Sequence, residues 1–113
     1  MKEIKAIIQP GTLDAVIHAL KQIPDLPGIT VSEVRGFGRN RAVDATPTVM
    51  EGANEFGIKV KLEVVVPDEM LELAIQAIQA NAHRGKPGDG KIFVYTVNEV
   101  INLRTGDRGE HAI

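Results

Sequence analysis

The run Gly85-Lys86-Pro87-Gly88-Asp89-Gly90-Lys91 combines three glycines with two lysines directly ahead of an apolar segment, Ile92-Phe93-Val94-Tyr95. Glycine has no Cβ, so its backbone N–H groups can approach an anion closely, and lysine adds positive charge. Four residues separate Gly85 from the Gly90-Lys91 pair, which is the spacing of a phosphate loop. Two features depart from that motif. Ile92 stands where Ser or Thr would hold Mg²⁺, and the loop follows a helical pattern and precedes a strand, the reverse of strand-loop-helix. What remains is a phosphate cradle without the apparatus of a nucleotide hydrolase.

Other chemistry is sparse. Asp89, Glu63 and Asp68 are carboxylates, but no pair has a recognisable catalytic spacing, so no catalytic residue is assigned and fast ATP turnover is not expected. His18, His83 and His111 share no i, i+4 spacing, and the soft ligands are Met1, Met50 and Met70, so no metal site is assigned. Cysteine is absent, which excludes disulfides and thiolate chemistry and fits a reducing cytoplasm.

The 113 residues suffice for one domain, 1–113, burying roughly 65% of its unfolded surface. A net charge of −2 supplies no basic field for nucleic acid. No apolar run reaches membrane-spanning length, and Met1-Lys2-Glu3-Ile4 lacks the apolar core of a signal peptide, so neither membrane insertion nor export is expected.

These residues need a scaffold, and the periodicity supplies one. Ile4, Ala6 and Ile8 alternate with Lys5, Ile7 and Gln9 as a first strand, which Pro10-Gly11 ends. Thr12 is positioned to cap a helix whose apolar face is Leu13, Val16, Ile17, Leu20 and Ile23. Pro24 and Pro27-Gly28 turn the chain into a second strand, Ile29 to Phe37. Val60, Leu62, Val64 and Val66 mark a third strand. Pro67-Asp68 then opens a second helix with the stripe Leu71, Ala74, Ile75, Ile78 and Ala82. A fourth strand runs from about Lys91 to Val97, and a short polar tail carries Arg104 and Arg108. The order βαββαβ predicts an α+β ferredoxin-like sandwich: a four-stranded antiparallel sheet with two helices on one face.

Two features point outward. Ile7, Val65, Phe93 and Tyr95 include positions that the helices would leave uncovered, and an apolar second sheet face needs a cover. Subunit association is the simplest cover, with the tail as the alternative. The polar stretch Asn40 to Gly57 is far longer than a strand connection requires. Its length favours a partner-contacting arm, and its composition favours mobility.

Gly36-Phe37-Gly38-Arg39, Val65-Val66-Pro67-Asp68, the Gly85–Val94 run and Arg104-Thr105-Gly106 together resemble the PII signal-transduction proteins over nearly the whole chain. The resemblance implies a non-enzymatic cytoplasmic homotrimer. ATP or ADP, with Mg²⁺ possible, would compete for clefts between subunits, and the long loop, about 39–58, would report occupancy to a target protein, a membrane transporter or an enzyme. Ile7, Thr30, Gly36, Phe37, Gly38 and Val65 are implied around base and ribose. Arg39 is implied beside them, and Gly88, Asp89, Gly90, Lys91 and Arg104 at the base edge and phosphates. Asn40 and Lys59 are the implied Mg²⁺ and 2-oxoglutarate positions.

The chain also departs from that family. Its only Tyr is Tyr95 and its only Ser is Ser32, so the long loop offers no acceptor for uridylylation or serine phosphorylation. Asn40 replaces a common Gln and Ala42 a Gly, which together predict weakened or lost 2-oxoglutarate binding. Asn102 replaces a phosphate-contacting Arg, a charged contact whose loss costs on the order of 1.5–3 kcal/mol. The altered loop is similar to that of a PII subgroup linked to heavy-metal efflux. A structural ferredoxin-like trimer without nucleotide sensing is the remaining alternative, and the intact Gly85–Lys91 run argues against it.

Overall fold

The computed structural model describes residues 1–36 and 57–113. Phe37, Gly38, Arg39 and Asn40, and with them the long loop, lie outside the described residues.

Four strands, β1 (Lys2–Ile8), β2 (Ile29–Gly36), β3 (Gly57–Val66) and β4 (Gly90–Thr96), form one antiparallel sheet in the order β2-β3-β1-β4. Two helices, α1 (Leu13–Lys21) and α2 (Leu71–Ala82), cover one face. This is the βαββαβ arrangement that the periodicity predicts. Register explains the pattern: Ile4 faces Val64 on β3 and Val94 on β4, and Ala6 faces Leu62 and Ile92. Alternate residues of β1 and β3 therefore point toward the helices. Ile4, Ala6, Ile8, Val60, Leu62, Val64 and Val66 are buried there against Val16, Leu20, Ala74, Ile78 and Ala82. Burying a Val, Leu or Ile side chain contributes roughly 1.5–3 kcal/mol, so this layer carries most of the fold. The helices cover the two central strands best. On the edge strands Val31 and Val94, which share the helix-facing rows, stay 42% and 44% exposed.

Three local expectations are corrected. Thr12 does not cap α1 through its side chain; its hydroxyl donates backwards to the Gln9 carbonyl at 2.8 Å, within a 3₁₀ turn, Pro10–Thr12. That turn uses the fixed φ of Pro10 at its first position. Helix α1 stops at Lys21, before Ile23, because Pro24 and Pro27 cannot continue the backbone pattern; Ile23 still packs on the core from the following turn. The tail, read from its residues only as short and polar, forms a tight turn: Ile101 bridges Arg108, and the Asn102 carbonyl accepts from the Gly106 N–H at 2.8 Å. Finally, the uncovered sheet face is not uniformly apolar. Ile7, Val65, Phe93 and Tyr95 do lie on it, but Glu3, Lys5, Lys61, Glu63 and Lys91 stand between them.

Candidate functional site

The uncovered face and its two ends carry the candidate residues. Across the sheet, Thr30 pairs with Glu63, Val65 with Glu3, and Ile7 with both Lys61 and Lys91. Strands rise about 3.3 Å per residue, so Val65, opposite Glu3, lies roughly 13 Å along the sheet from Ile7. The site residues thus fall into two groups on one protomer.

The first group forms a cleft. Thr30 and Val65 line it together with Glu3, Glu63, Gly28, and Ile113 from the tail, enclosing about 320 Å³. Two carboxylates stand side by side on its floor. Burial, together with the hydrogen bond and negative charge of Glu63, pushes the Glu3 carboxyl above the usual carboxylate range, while Lys5 and Lys61 pull it back. The Lys61 ammonium lies 3.7 Å from Glu63. Next to this cleft, Lys5 Nζ sits 5.2 Å and 5.0 Å from the ring centres of Phe93 and Tyr95. The two aromatic rings share their exposed flank with a cation rather than only with each other. Glu3 and Glu63 were not among the expected site residues. The signal was available, since both fall on the non-core parity of strands already recognised, but charged residues on a strand ordinarily face solvent.

The second group is the glycine-lysine loop. Helix α2 ends at Ala82, and the chain passes through positive-φ glycines at Gly85 and Gly88 before β4 begins at Gly90, which also has a positive φ. Asp89 organises this loop from within. Its carboxylate accepts from the backbone N–H groups of Arg84 and Gly85, both at 2.8 Å, and from that of Lys86 at 3.4 Å. The Arg84 side chain adds a contact at 3.3 Å, and His83 Nδ1 stands 3.8 Å away. The Arg84 backbone bond leads these donors in holding the Asp89 carboxyl down to about 2. Asp89 is therefore tied into its own loop through its side chain. Gly90 is required by space: a Cβ there would meet the Ile7 carbonyl oxygen at 1.8 Å, because β1 and β4 pair Ile8 directly with Gly90. Lys91 follows on the open face beside Ile7, and its side chain is exposed.

Lys59 also comes to this loop, donating to the Gly88 carbonyl at 3.4 Å. Gly36 pairs with Gly57, so the chain leaves and re-enters the sheet at that point, two residues from Lys59. Arg104 is not brought against either group within the protomer. It sits exposed on the tail turn, where its backbone N–H donates to Asn102 Oδ1 at 2.9 Å. The Thr105 N–H donates to the same oxygen at 3.1 Å. Asn102 thus acts as the cap of the turn that presents Arg104.

Among the described residues no group of His, Cys, Asp or Glu is arranged to hold a metal ion. Asn40 lies outside them, Lys59 is a cation, and Asp89 is engaged by its own loop, so the described residues do not make a Mg²⁺ site by themselves. No helix among the described residues is long and apolar enough to cross a membrane.

Known proteins resemble this chain along its length. The family model described as nitrogen regulatory protein P-II matches residues 1–107. Proteins of that name from Rhodospirillum rubrum, Azospirillum brasilense and Haemophilus influenzae are 50%, 49% and 49% identical to this chain over 113 residues, with the full length of both partners covered each time. A sheet with helices on one face, a glycine-lysine loop at the start of its last strand and full-length identity near one half converge on one conclusion: the chain belongs to the nitrogen regulatory protein P-II family, whose members are regulatory signal-transduction proteins and not enzymes.

Proposed function

We propose that this regulator senses adenine nucleotide, ATP or ADP, in clefts between the subunits of a homotrimer and passes the result to a target protein through the long loop, about 39–58. Residues 1–113 act as one domain in this reading. The observation that carries it is the split site. Thr30, Val65 and Glu63 form a half-open cleft at one end of the uncovered face, while Ile7, Gly88, Gly90 and Lys91 gather at the other. A base needs an enclosed pocket and a phosphate chain needs backbone donors and cations. One protomer offers each of these at a different place, and a neighbouring copy laid on the uncovered face brings one end of each to the other. The charged residues between Ile7, Val65, Phe93 and Tyr95 suit such a contact, since Glu3 and Glu63 lie on the same face as Lys5, Lys61 and Lys91.

Within that assembly Gly36, Phe37, Gly38 and Arg39 complete the nucleotide surroundings, and Asp89 contributes by shaping the loop. Arg104 supplies phosphate charge from the neighbouring tail. Asn102 takes the place of a second arginine and gives the turn a cap in exchange for a charge. With Asn40 and Ala42 in the adjoining segment, the protein responds to the adenylate rather than to 2-oxoglutarate. It acts in the cytoplasm, and the altered long loop is suited to a target such as a heavy-metal efflux system.

Light scattering combined with isothermal titration tests the reading. The expected result is a trimer that binds ATP and ADP, with no micromolar affinity for 2-oxoglutarate when MgATP is present. A ligand at 100 times its dissociation constant stabilises by about 2.7 kcal/mol, so a thermal shift would accompany binding. A monomer, or a trimer with no affinity for either nucleotide, overturns the proposal.

A further inference from the structure

Gln9 belongs to none of the groups above, yet it reaches the glycine-lysine loop from β1. Its backbone is firmly placed: extended at φ −72 and ψ 138, just past the end of β1, it accepts at its carbonyl from the Thr12 N–H at 3.0 Å and from the Thr12 hydroxyl at 2.8 Å. From that fixed point the side-chain amide Nε2 donates to the Gly88 carbonyl oxygen at 2.5 Å. Lys59 donates to the same oxygen at 3.4 Å. On the other side of the same peptide group, the Asp89 N–H donates to the Lys86 carbonyl at 3.2 Å. Both polar groups of the Gly88–Asp89 peptide are therefore engaged.

We propose that Gln9 is a positioning residue of the nucleotide loop, holding the Gly88–Asp89 peptide plane so that the loop meets a phosphate already arranged. The inference rests on the adenylate reading above and deepens it. Gly88 sits at φ +91, a conformation glycine reaches freely and also leaves freely. Nothing in its own covalent structure keeps it there, so the restraint comes from outside. Asp89 restrains residues 84–86 through its carboxylate; Gln9 restrains the apex, where a peptide flip would redirect the loop's donors. Ordering a loop before the ligand arrives removes part of the cost of binding. The donor matters here: a side chain of equal length without an N–H leaves the carbonyl with the longer contact to Lys59 alone.

The test uses the full chain, with ATP and ADP as titrants and the amide signals of Gly88, Asp89 and Gly90 as a second readout. Gln9→Met keeps the length and removes the donor. A net hydrogen bond of ordinary strength predicts an affinity about 3- to 10-fold weaker, together with shifted or broadened Gly88–Gly90 amides without nucleotide. Gln9→Lys restores a donor and is expected to return affinity to within about 2-fold of the parent. Because Gln9 is partly exposed, melting temperature should move little in either variant. Gln9→Glu, which loses the donor and places an acceptor against the carbonyl, should be at least as weak as Gln9→Met. Unchanged affinity and amides in Gln9→Met overturn the proposal, as does equal weakening in Gln9→Met and Gln9→Lys. If the parent chain binds no adenylate, the proposed function fails, and the amide signals alone then decide whether Gln9 positions the loop.

Discussion

Gly90→Ala gives the sharpest test of how the loop is seated. The added Cβ would lie 1.8 Å from the Ile7 carbonyl oxygen and 2.9 Å from its carbonyl carbon, both backbone atoms of the strand paired with β4. No rotamer change relieves a backbone clash, so the Ile8–Gly90 pairing has to open. One or two ladder hydrogen bonds are lost at about 1 kcal/mol each. The native φ of +113 adds about 1–3 kcal/mol for a residue with a side chain. Together these give about 2–5 kcal/mol, a large part of the roughly 5–15 kcal/mol that holds an ordinary domain together. At about 4 °C per kcal/mol the melting temperature should fall by about 8–20 °C. Two controls grade the effect. Gly85→Ala meets only His83 Nε2 at 3.8 Å and suffers the backbone penalty alone, about 1–2 kcal/mol. Gly11→Ala meets nothing within 4 Å, has no left-handed φ and should be neutral or slightly stabilising. The assay is thermal unfolding of the three variants at one protein concentration, since an oligomer's midpoint depends on concentration. A Gly90→Ala protein melting within about 3 °C of the parent would refute the close approach of β1 to the loop.

Asn102→Ala removes the acceptor for both the Arg104 and Thr105 N–H groups, and should speed hydrogen exchange at those amides about tenfold while lowering ATP affinity; unchanged exchange would show that the turn does not depend on its cap. The raised Glu3 carboxyl makes a pH prediction of definite sign. The folded protein holds this proton more tightly than the unfolded chain does, so stability is lost as pH rises above the ordinary carboxylate value of 4.5 and through the higher folded-state value. Glu3→Gln, compared with the parent by urea denaturation across acidic to neutral pH, should flatten that loss; parallel profiles would contradict a raised Glu3 carboxyl.

Much of this protein is legible in the order of its residues. The alternation Val60-Leu62-Val64-Val66 on β3 and the stripe Ala74-Ile78-Ala82 on α2 are core positions in the structure as in the periodicity, because a sheet face and a helix stripe each demand a fixed repeat. The glycine-lysine loop stands out because its glycines are needed for conformation, and three of them do take positive φ. Less legible was anything set by contact between distant segments. Thr12 has the right type for a cap, but its hydroxyl finds the Gln9 carbonyl first. Asp89 has the right type for a ligand contact, but three backbone N–H groups of its own loop engage its carboxylate. Asn102 reads as a lost charge and turns out to cap a turn.

Local repeats and turn chemistry thus determined the element order, the buried stripe of each element and the place of the anion-seeking loop, since each depends on residues only a few positions apart. Tertiary structure decided which residues meet. Strand order β2-β3-β1-β4 sets Thr30 beside Glu63, Ile7 beside Lys91 and Gln9 within reach of Gly88, the last a separation of 79 positions along the chain. Composition and spacing carry no record of such pairings, because register is fixed only when every strand has chosen its neighbour and buried its apolar side.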